Sequence, residues 1–228
     1  MTQDPEAVML FAAGFGTRMG ALTENRPKPL IKVAGRPLID HALDLVNALQ
    51  PKRIVANLHY LPDQLEAHLV PKGVLLSHET PEILETGGGI RAALPLLGSH
   101  PVYTLNPDAI WSGPNPLTML REAWNPDHMD ALLMCVPVDQ AVGHTGKGDF
   151  TAEENGRIVR GGSLIYGGAQ IMKTEGLMDI PEKAFSLNVL WDRMQKQDRL
   201  FALTYPGRWC DVGHPEGITL AEGLIADV

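Results

Sequence analysis

A continuous apolar run, Val8-Met9-Leu10-Phe11-Ala12, breaks off at Gly14 and Gly16. The run lacks the alternation of a half-exposed strand, so it predicts a strand covered on both faces. A chain that buries a strand this way must cover it on each side. Behind Pro37, the residues Leu38, Ala42, Leu45, Val46 and Leu49 recur at helical spacing and predict a helix over 37–49. Strand patterns at 53–57, 74–76, 102–106 and 131–138 then alternate with helix patterns at 62–69, 86–97 and 116–124. That order predicts an α/β fold, a three-layer αβα arrangement around a mostly parallel, Rossmann-like sheet. Ligands of such sheets bind beyond the carboxyl ends of the strands, which singles out the loops after Ala12, Asn57, Leu76 and Asn106.

The later residues are less regular. Short strands are expected at 149–151, 157–160, 164–172 and 200–205, partly antiparallel, with helices at 184–197 and 215–226. They should complete the sheet and cover one side of a cleft. No linker-like stretch, repeat or low-complexity tract divides the chain, so one domain over 1–228 is expected.

The formal charge of −8 argues against a nucleic acid as partner, since such binders neutralise phosphates with Lys and Arg. No apolar run approaches the ~18 residues a membrane-spanning helix needs. The N-terminal Met1-Thr2-Gln3-Asp4-Pro5-Glu6 is acidic where a secretory signal is basic, which predicts a cytoplasmic protein. Cys135 and Cys210 are too far apart in sequence to read as a metal motif and predict two reduced thiols.

The strongest local signal is Leu10-Phe11-Ala12-Ala13-Gly14-Phe15-Gly16-Thr17-Arg18-Met19, followed by Arg26-Pro27-Lys28-Pro29-Leu30. Small residues after a buried strand let backbone N–H groups approach phosphate oxygens. Arg18 adds a forked, permanent charge and Lys28 a point charge. The dinucleotide fingerprint fails, because Met19 stands where its third glycine is needed. The Walker loop fails as well, because Gly146-Lys147-Gly148 lacks the hydroxyl residue. Two prolines fix the backbone around Lys28 and aim its side chain, which a solvated surface lysine does not require.

These residues resemble the signature of the sugar-1-phosphate nucleotidylyltransferases. The resemblance rests on Ala12-Ala13-Gly14-x-Gly16-Thr17-Arg18-Met19, Pro27-Lys28-Pro29-Leu30 and Val33-x-Gly35-x-Pro37-Leu38-Ile39. It continues in Glu85-Thr86-Gly87-Gly88-Gly89, Asn106-x-Asp108, Gly148-Asp149-Phe150 and Trp209-x-Asp211-Val212-Gly213, and so covers nearly the whole chain. The left-handed β-helix of longer members is not expected here. The chain is most similar to the short subgroup that joins N-acetylmuramate 1-phosphate to UTP. Enzymes handling mannose or glucose 1-phosphate with GTP, UTP or dTTP are the alternative, and an idle nucleotide-sugar-binding sensor module is the alternative of another class.

The resemblance implies a nucleotide-binding half at about 1–125 and a sugar-binding half at about 126–228. It implies two small-molecule partners, a nucleoside triphosphate and a sugar 1-phosphate, and Mg2+ held by Asp108 and Asp211. Arg18, Lys28, Asp108 and Asp211 are the implied catalytic residues. Ala12, Ala13, Gly14, Gly16, Thr17, Arg18, Lys28, Asn57, Glu85 and Gly88 would bind the nucleotide. Asp149 and Gly168 would bind the sugar. Asp108 also reads as a turn residue, since Asn-Pro-Asp is a good turn. Two positions depart from the family pattern: Pro107 stands where glycine is usual, and Phe15 stands where a small or charged residue is common and could narrow the loop. A monomer or homodimer is expected.

Overall fold

A computed structural model describes residues 4–98 and 101–227. Residues 1–3 of the acidic N-terminal stretch lie outside the described residues. The first elements run β1 (Ala7–Phe11), β2 (Lys32–Val33), β3 (Arg36–Pro37), α1 (Leu38–Asn47), β4 (Arg53–Leu58), α2 (Pro62–Leu69) and β5 (Leu75–His78). They continue through α3 (Glu85–Leu97), β6 (Val102–Leu105), β7 (Ala109–Ser112) and α4 (Pro116–Ala123). The rest comprises β8 (Ala131–Pro137), β9 (Ala141–Val142), β10 (Gly148–Ala152), β11 (Ile158–Gly162), β12 (Leu164–Met172), α5 (Asn188–Lys196), β13 (Leu200–Thr204), β14 (Arg208–Asp211) and α6 (Pro215–Ala226).

One nine-stranded sheet carries the fold. Its order is β11-β10-β12-β6-β1-β4-β5, with β8 paired to β12 and β13 to β8. β1 lies between β4 and β6, all parallel, and β5 extends this block from β4. β12 runs antiparallel to both β6 and β8 and joins β8 to the parallel block. β1 shows why the sheet must sit between helices. Val8 and Leu10 pack with Ile39, Ala42 and Val46 of α1 and with Leu117 and Leu120 of α4. Ala7 and Met9 pack on the other face with Ile90 and Ala93 of α3 and with Leu190 and Trp191 of α5. Successive side chains of one strand point to opposite faces, so an unbroken apolar run feeds both layers. α4 opens on Pro116, and the Asn115 side chain caps it by accepting the Leu117 N–H at 2.9 Å.

A second, smaller sheet, β7-β14-β9, closes one end of the cleft and packs under α6. Neither β7 nor β14 announces itself as a strand in the sequence. The helix expected over 184–197 begins only at Asn188. Residues before it stay irregular because their backbone is bonded elsewhere. The Phe185 carbonyl accepts the N–H groups of Gly87 and Gly88 at 2.9 and 3.1 Å, and Phe185 N–H donates to the Leu84 carbonyl. Pro37 pairs in the β2–β3 ribbon and precedes α1 rather than forming its first turn.

Among the described residues, no helix is long and apolar enough to cross a membrane. Cys135 and Cys210 are free and buried, and burial pushes both thiols up, that of Cys210 to about 11.

Candidate active site

Beyond the carboxyl ends of β1, β4 and β6 lies a cleft with three continuous parts that meet at Phe11. The first, about 220 Å³, is walled by Ala12, Gly14, Gly16, Thr17, Arg18, Lys28, Pro107, Asp108 and Gly213. The second, about 210 Å³, adds Ala13, Asn57, Ile83, Glu85, Thr86 and Asn106. The third, about 330 Å³, runs past Asn106 to Asp149, Arg160, Tyr166 and Trp191. Asp108 borders the first two parts, and Asn106 the second and third.

The glycine loop is shaped by its neighbours. Gly16 has φ +65, and a Cβ there would lie 2.9 Å from Cβ of Lys28. Only glycine permits both that turn and that approach. Thr23 locks the loop by donating its hydroxyl to the Gly16 and Gly20 carbonyls, each at 3.1 Å. Pro27 leads into a tight turn over Lys28–Leu30 that leaves Lys28 only 8 % exposed. Its ammonium donates to Asp108 Oδ2 at 2.6 Å. Phe15 does not narrow the loop. The residue is 45 % exposed, and its ring turns outward against His59 and Tyr60, at centroid distances of 5.4 and 5.5 Å.

The two aspartates meet because their strands pair. Asp211 faces Ala109 across the β7–β14 ladder, and Val212 donates its N–H to the Asp108 carbonyl at 2.8 Å. Burial and the negative charge of Asp108 raise the Asp211 pKa, against opposing pulls from Lys28, Arg18 and His214. At Gly213 a Cβ would lie 2.5 Å from Asp211 Oδ2 and 3.0 Å from Arg18 Nη1. Arg18, Lys28, Asp108 and Asp211 therefore converge on one end of the cleft. Among the described residues, no group of three or more His, Cys, Asp or Glu side chains is placed to hold a metal by itself. Two carboxylates, one of them disfavoured as an anion, fit a hard dication that completes its shell with phosphate oxygens and water.

Asn57 lines the cleft, but its polar atoms are engaged in the wall. Its Oδ1 accepts the Ala12 N–H at 2.8 Å, and its Nδ2 donates to Glu79 Oε1 at 2.7 Å. Glu79 is 1 % exposed, and its Oε2 accepts the Leu84 N–H at 2.7 Å. This chain of bonds ties the glycine loop to the approach of α3. Sequence reasoning missed Glu79, because a glutamate between His78 and Thr80 carries no sign of burial. The glycine cluster serves the same wall. A Cβ on Gly89 would lie 2.6 Å from Glu79 Oε1, and one on Gly88 would lie 2.6 Å from the Lys183 carbonyl. Gly88 is thus packed beneath the surface, whereas Glu85 and Thr86 reach the cleft. Glu85 has φ +58, in the left-handed region that side chains rarely adopt.

In the third part, Asp149 Oδ2 accepts the Tyr166 N–H at 2.9 Å, and its remaining oxygen is open to a ligand. Gly168 lies behind Asn106 rather than in the wall. Its carbonyl accepts the Asn106 N–H at 2.8 Å, and a Cβ would meet Asn106 Cβ at 2.9 Å. Arg160 also lines this part and was not singled out in the sequence. It looks like any exposed charge on a strand until its ring neighbours are known.

A sheet of this order, with a glycine loop, a braced lysine and paired aspartates at its carboxyl edge, defines a nucleotidyltransferase architecture. The model of the MobA-like NTP transferase domain matches residues 8–148, and the chain belongs to that family. It is 39 % identical to N-acetylmuramate α-1-phosphate uridylyltransferase of Caulobacter vibrioides, over the full length of both chains. It is 33 % identical to the enzyme of the same name from Neisseria meningitidis, over 90 % of this chain and 92 % of that one. Among solved structures, HddC from Yersinia pseudotuberculosis complexed with GMP-PN superposes with a TM-score of 0.78 at 21 % identity, covering 96 % of this chain and 99 % of that one.

Proposed function

We propose that this chain transfers a uridylyl group from UTP to N-acetylmuramate 1-phosphate, releasing pyrophosphate. The 39 % identity to an enzyme of that name over both full lengths supports the substrate pair. The observation that carries the chemistry is the convergence of Lys28, Asp108 and Asp211 beside the glycine loop.

In the proposed reaction, a phosphate oxygen of the sugar 1-phosphate attacks the α-phosphorus of UTP. A new P–O bond forms as the bond to the pyrophosphate oxygen breaks, and the electron pair leaves with pyrophosphate. The nucleophile is already an anion, so no general base is needed. Both reactants are polyanions, and catalysis is mainly alignment and charge neutralisation. Asp108 and Asp211 would hold Mg2+, which when bound would supply Lewis-acid stabilisation of phosphate charge. Lys28 leaves its ion pair with Asp108 to meet charge building on the α-phosphate. Arg18 meets the departing pyrophosphate. Ala12, Ala13, Gly14 and Thr17 line the backbone cradle for the phosphates. Glu85 and the residues near Asn57 border the base and ribose. Asp149 accepts hydrogen bonds from sugar hydroxyls, and Gly168 acts through Asn106.

The test is pyrophosphate release across a panel of nucleoside triphosphates and sugar 1-phosphates, with and without Mg2+. The reading expects UTP with N-acetylmuramate 1-phosphate to be the best pair. A clear preference for GTP with mannose 1-phosphate would reassign the substrates. Tight nucleotide binding with no release under any pairing would reassign the chain as a sensor.

A further inference from the structure

The third part of the cleft contains one cation among its described lining residues, Arg160. Its guanidinium carbon lies 5.0 Å from the centroid of the Phe150 ring and 5.7 Å from that of Trp191. Phe150 is also its ladder partner across β10–β11, so the hairpin itself sets the stack. Asp192, on α5, receives Nε and Nη2 on a single oxygen, Oδ1, at 3.2 and 2.7 Å. Rings on its face and a carboxylate on one edge hold the fork in place before any ligand arrives. Nη1 makes no hydrogen bond among the described residues.

A planar fork held this way recognises a carboxylate with little loss of freedom. A sugar with only hydroxyl groups offers it no charged partner. N-acetylmuramate differs from N-acetylglucosamine by a lactyl ether on the ring, and that ether ends in a carboxylate. We propose that Arg160, preset by Phe150, Trp191 and Asp192, binds a carboxylate carried by the sugar and so selects an acidic sugar 1-phosphate over its neutral counterpart. This assignment rests on the sugar 1-phosphate reading of the cleft and adds the group that discriminates among sugars. The carboxylate is remote from the reacting phosphorus, so the contact is made equally in ground and transition states. Its loss should therefore raise KM and leave kcat nearly constant.

The test compares N-acetylmuramate 1-phosphate with N-acetylglucosamine 1-phosphate at saturating UTP, for the wild type, Arg160→Gln and Arg160→Lys. A charged hydrogen bond of this kind corresponds to about 10- to 100-fold in kcat/KM. Arg160→Gln should lose that factor on the acidic sugar, through KM, with a much smaller change on the neutral one. Arg160→Lys should fall between, keeping the charge and losing the fork. Melting curves that match the wild type exclude a folding defect, since Arg160 lies at the surface. A wild type that turns over the acidic sugar, with variants that keep its preference, overturns the role of Arg160 alone. A fall in kcat on both sugars equally also overturns it. A wild type inactive on N-acetylmuramate 1-phosphate overturns the substrate reading itself.

Discussion

Lys28 Nζ and Asp108 Oδ2 lie 2.6 Å apart, with both side chains partly shielded in the cleft. The pair joins the proline-braced turn after β1 to the crossing between β6 and β7. In the proposed reaction both charges exchange partners, the ammonium for a phosphate and the carboxylate for a dication. Removing the lysine leaves the aspartate without its neutralising partner. Lys28→Ala should reduce turnover about 100-fold or more while the protein remains folded. Pyrophosphate release at saturating substrates measures this. Wild-type turnover in the variant would remove Lys28 from the chemistry.

Asp211 is an anion held at a cost. Burial, then the charge of Asp108, raises its pKa above the usual carboxylate value. A carboxyl raised on folding destabilises the protein above its folded pKa, and the penalty vanishes below the unfolded value. Asp211→Asn should therefore melt at a higher temperature than wild type at pH 7, without metal or substrate. The difference should shrink as the pH falls toward 4. Activity should be lost by orders of magnitude in the same variant. A variant less stable than wild type at pH 7 would contradict the electrostatic account.

Asp130 behaves in the opposite sense. Burial pushes its pKa up, but hydrogen bonds and charge from Arg199 and Lys173 hold it below the usual value. A carboxyl lowered on folding adds stability above its unfolded pKa and loses it as the pH falls through the folded value. Asp130→Asn should cost about 1–3 kcal/mol at pH 7, with a smaller deficit near pH 3. Urea titrations at the two pH values check this. A deficit independent of pH would assign the effect to packing.

Both oxygens of Glu79 accept, one from Asn57 Nδ2 and the other from the Leu84 N–H. Glu79→Gln must turn an NH2 group toward one of these donors, so the isosteric change is expected to destabilise by about 1–3 kcal/mol. Gly89→Ala should do similar damage from the other side, because its Cβ would lie 2.6 Å from Glu79 Oε1. Equilibrium unfolding measures both. A neutral Glu79→Gln would mean the pair does not hold the cleft wall.

The parallel block was legible because burial on both faces leaves a visible mark. Val8 through Ala12 is apolar without alternation, and prolines open α2, α4 and α6. The glycine loop and Pro27-Lys28-Pro29 were legible for a related reason, since constrained backbone needs particular residues. The small sheet β7-β14-β9 was hidden, because its strands are short and their partners distant in sequence. A partly antiparallel set was expected over 149–205, and β12 is antiparallel to β6 and β8, but which strands of the set would turn was hidden, since a buried strand looks alike whichever way it runs. Phe185 shows the limit of periodicity. Its stretch reads as helix, yet its backbone bonds to Gly87, Gly88 and Leu84 instead. Arg160 and Glu79 carry no local signal, because a stacked or buried charge is defined by partners far along the chain.

In the proposed reaction Asp108 and Asp211 grip one dication between them for nucleotidyl transfer. The most direct test follows pyrophosphate release from UTP and N-acetylmuramate 1-phosphate as Mg2+ is titrated into metal-free protein. Wild type should rise from no release to a plateau, and Asp108→Asn and Asp211→Asn should each remain near the baseline at the same Mg2+. Undiminished release in the presence of a chelator, or variants that reproduce the wild-type titration, would contradict it.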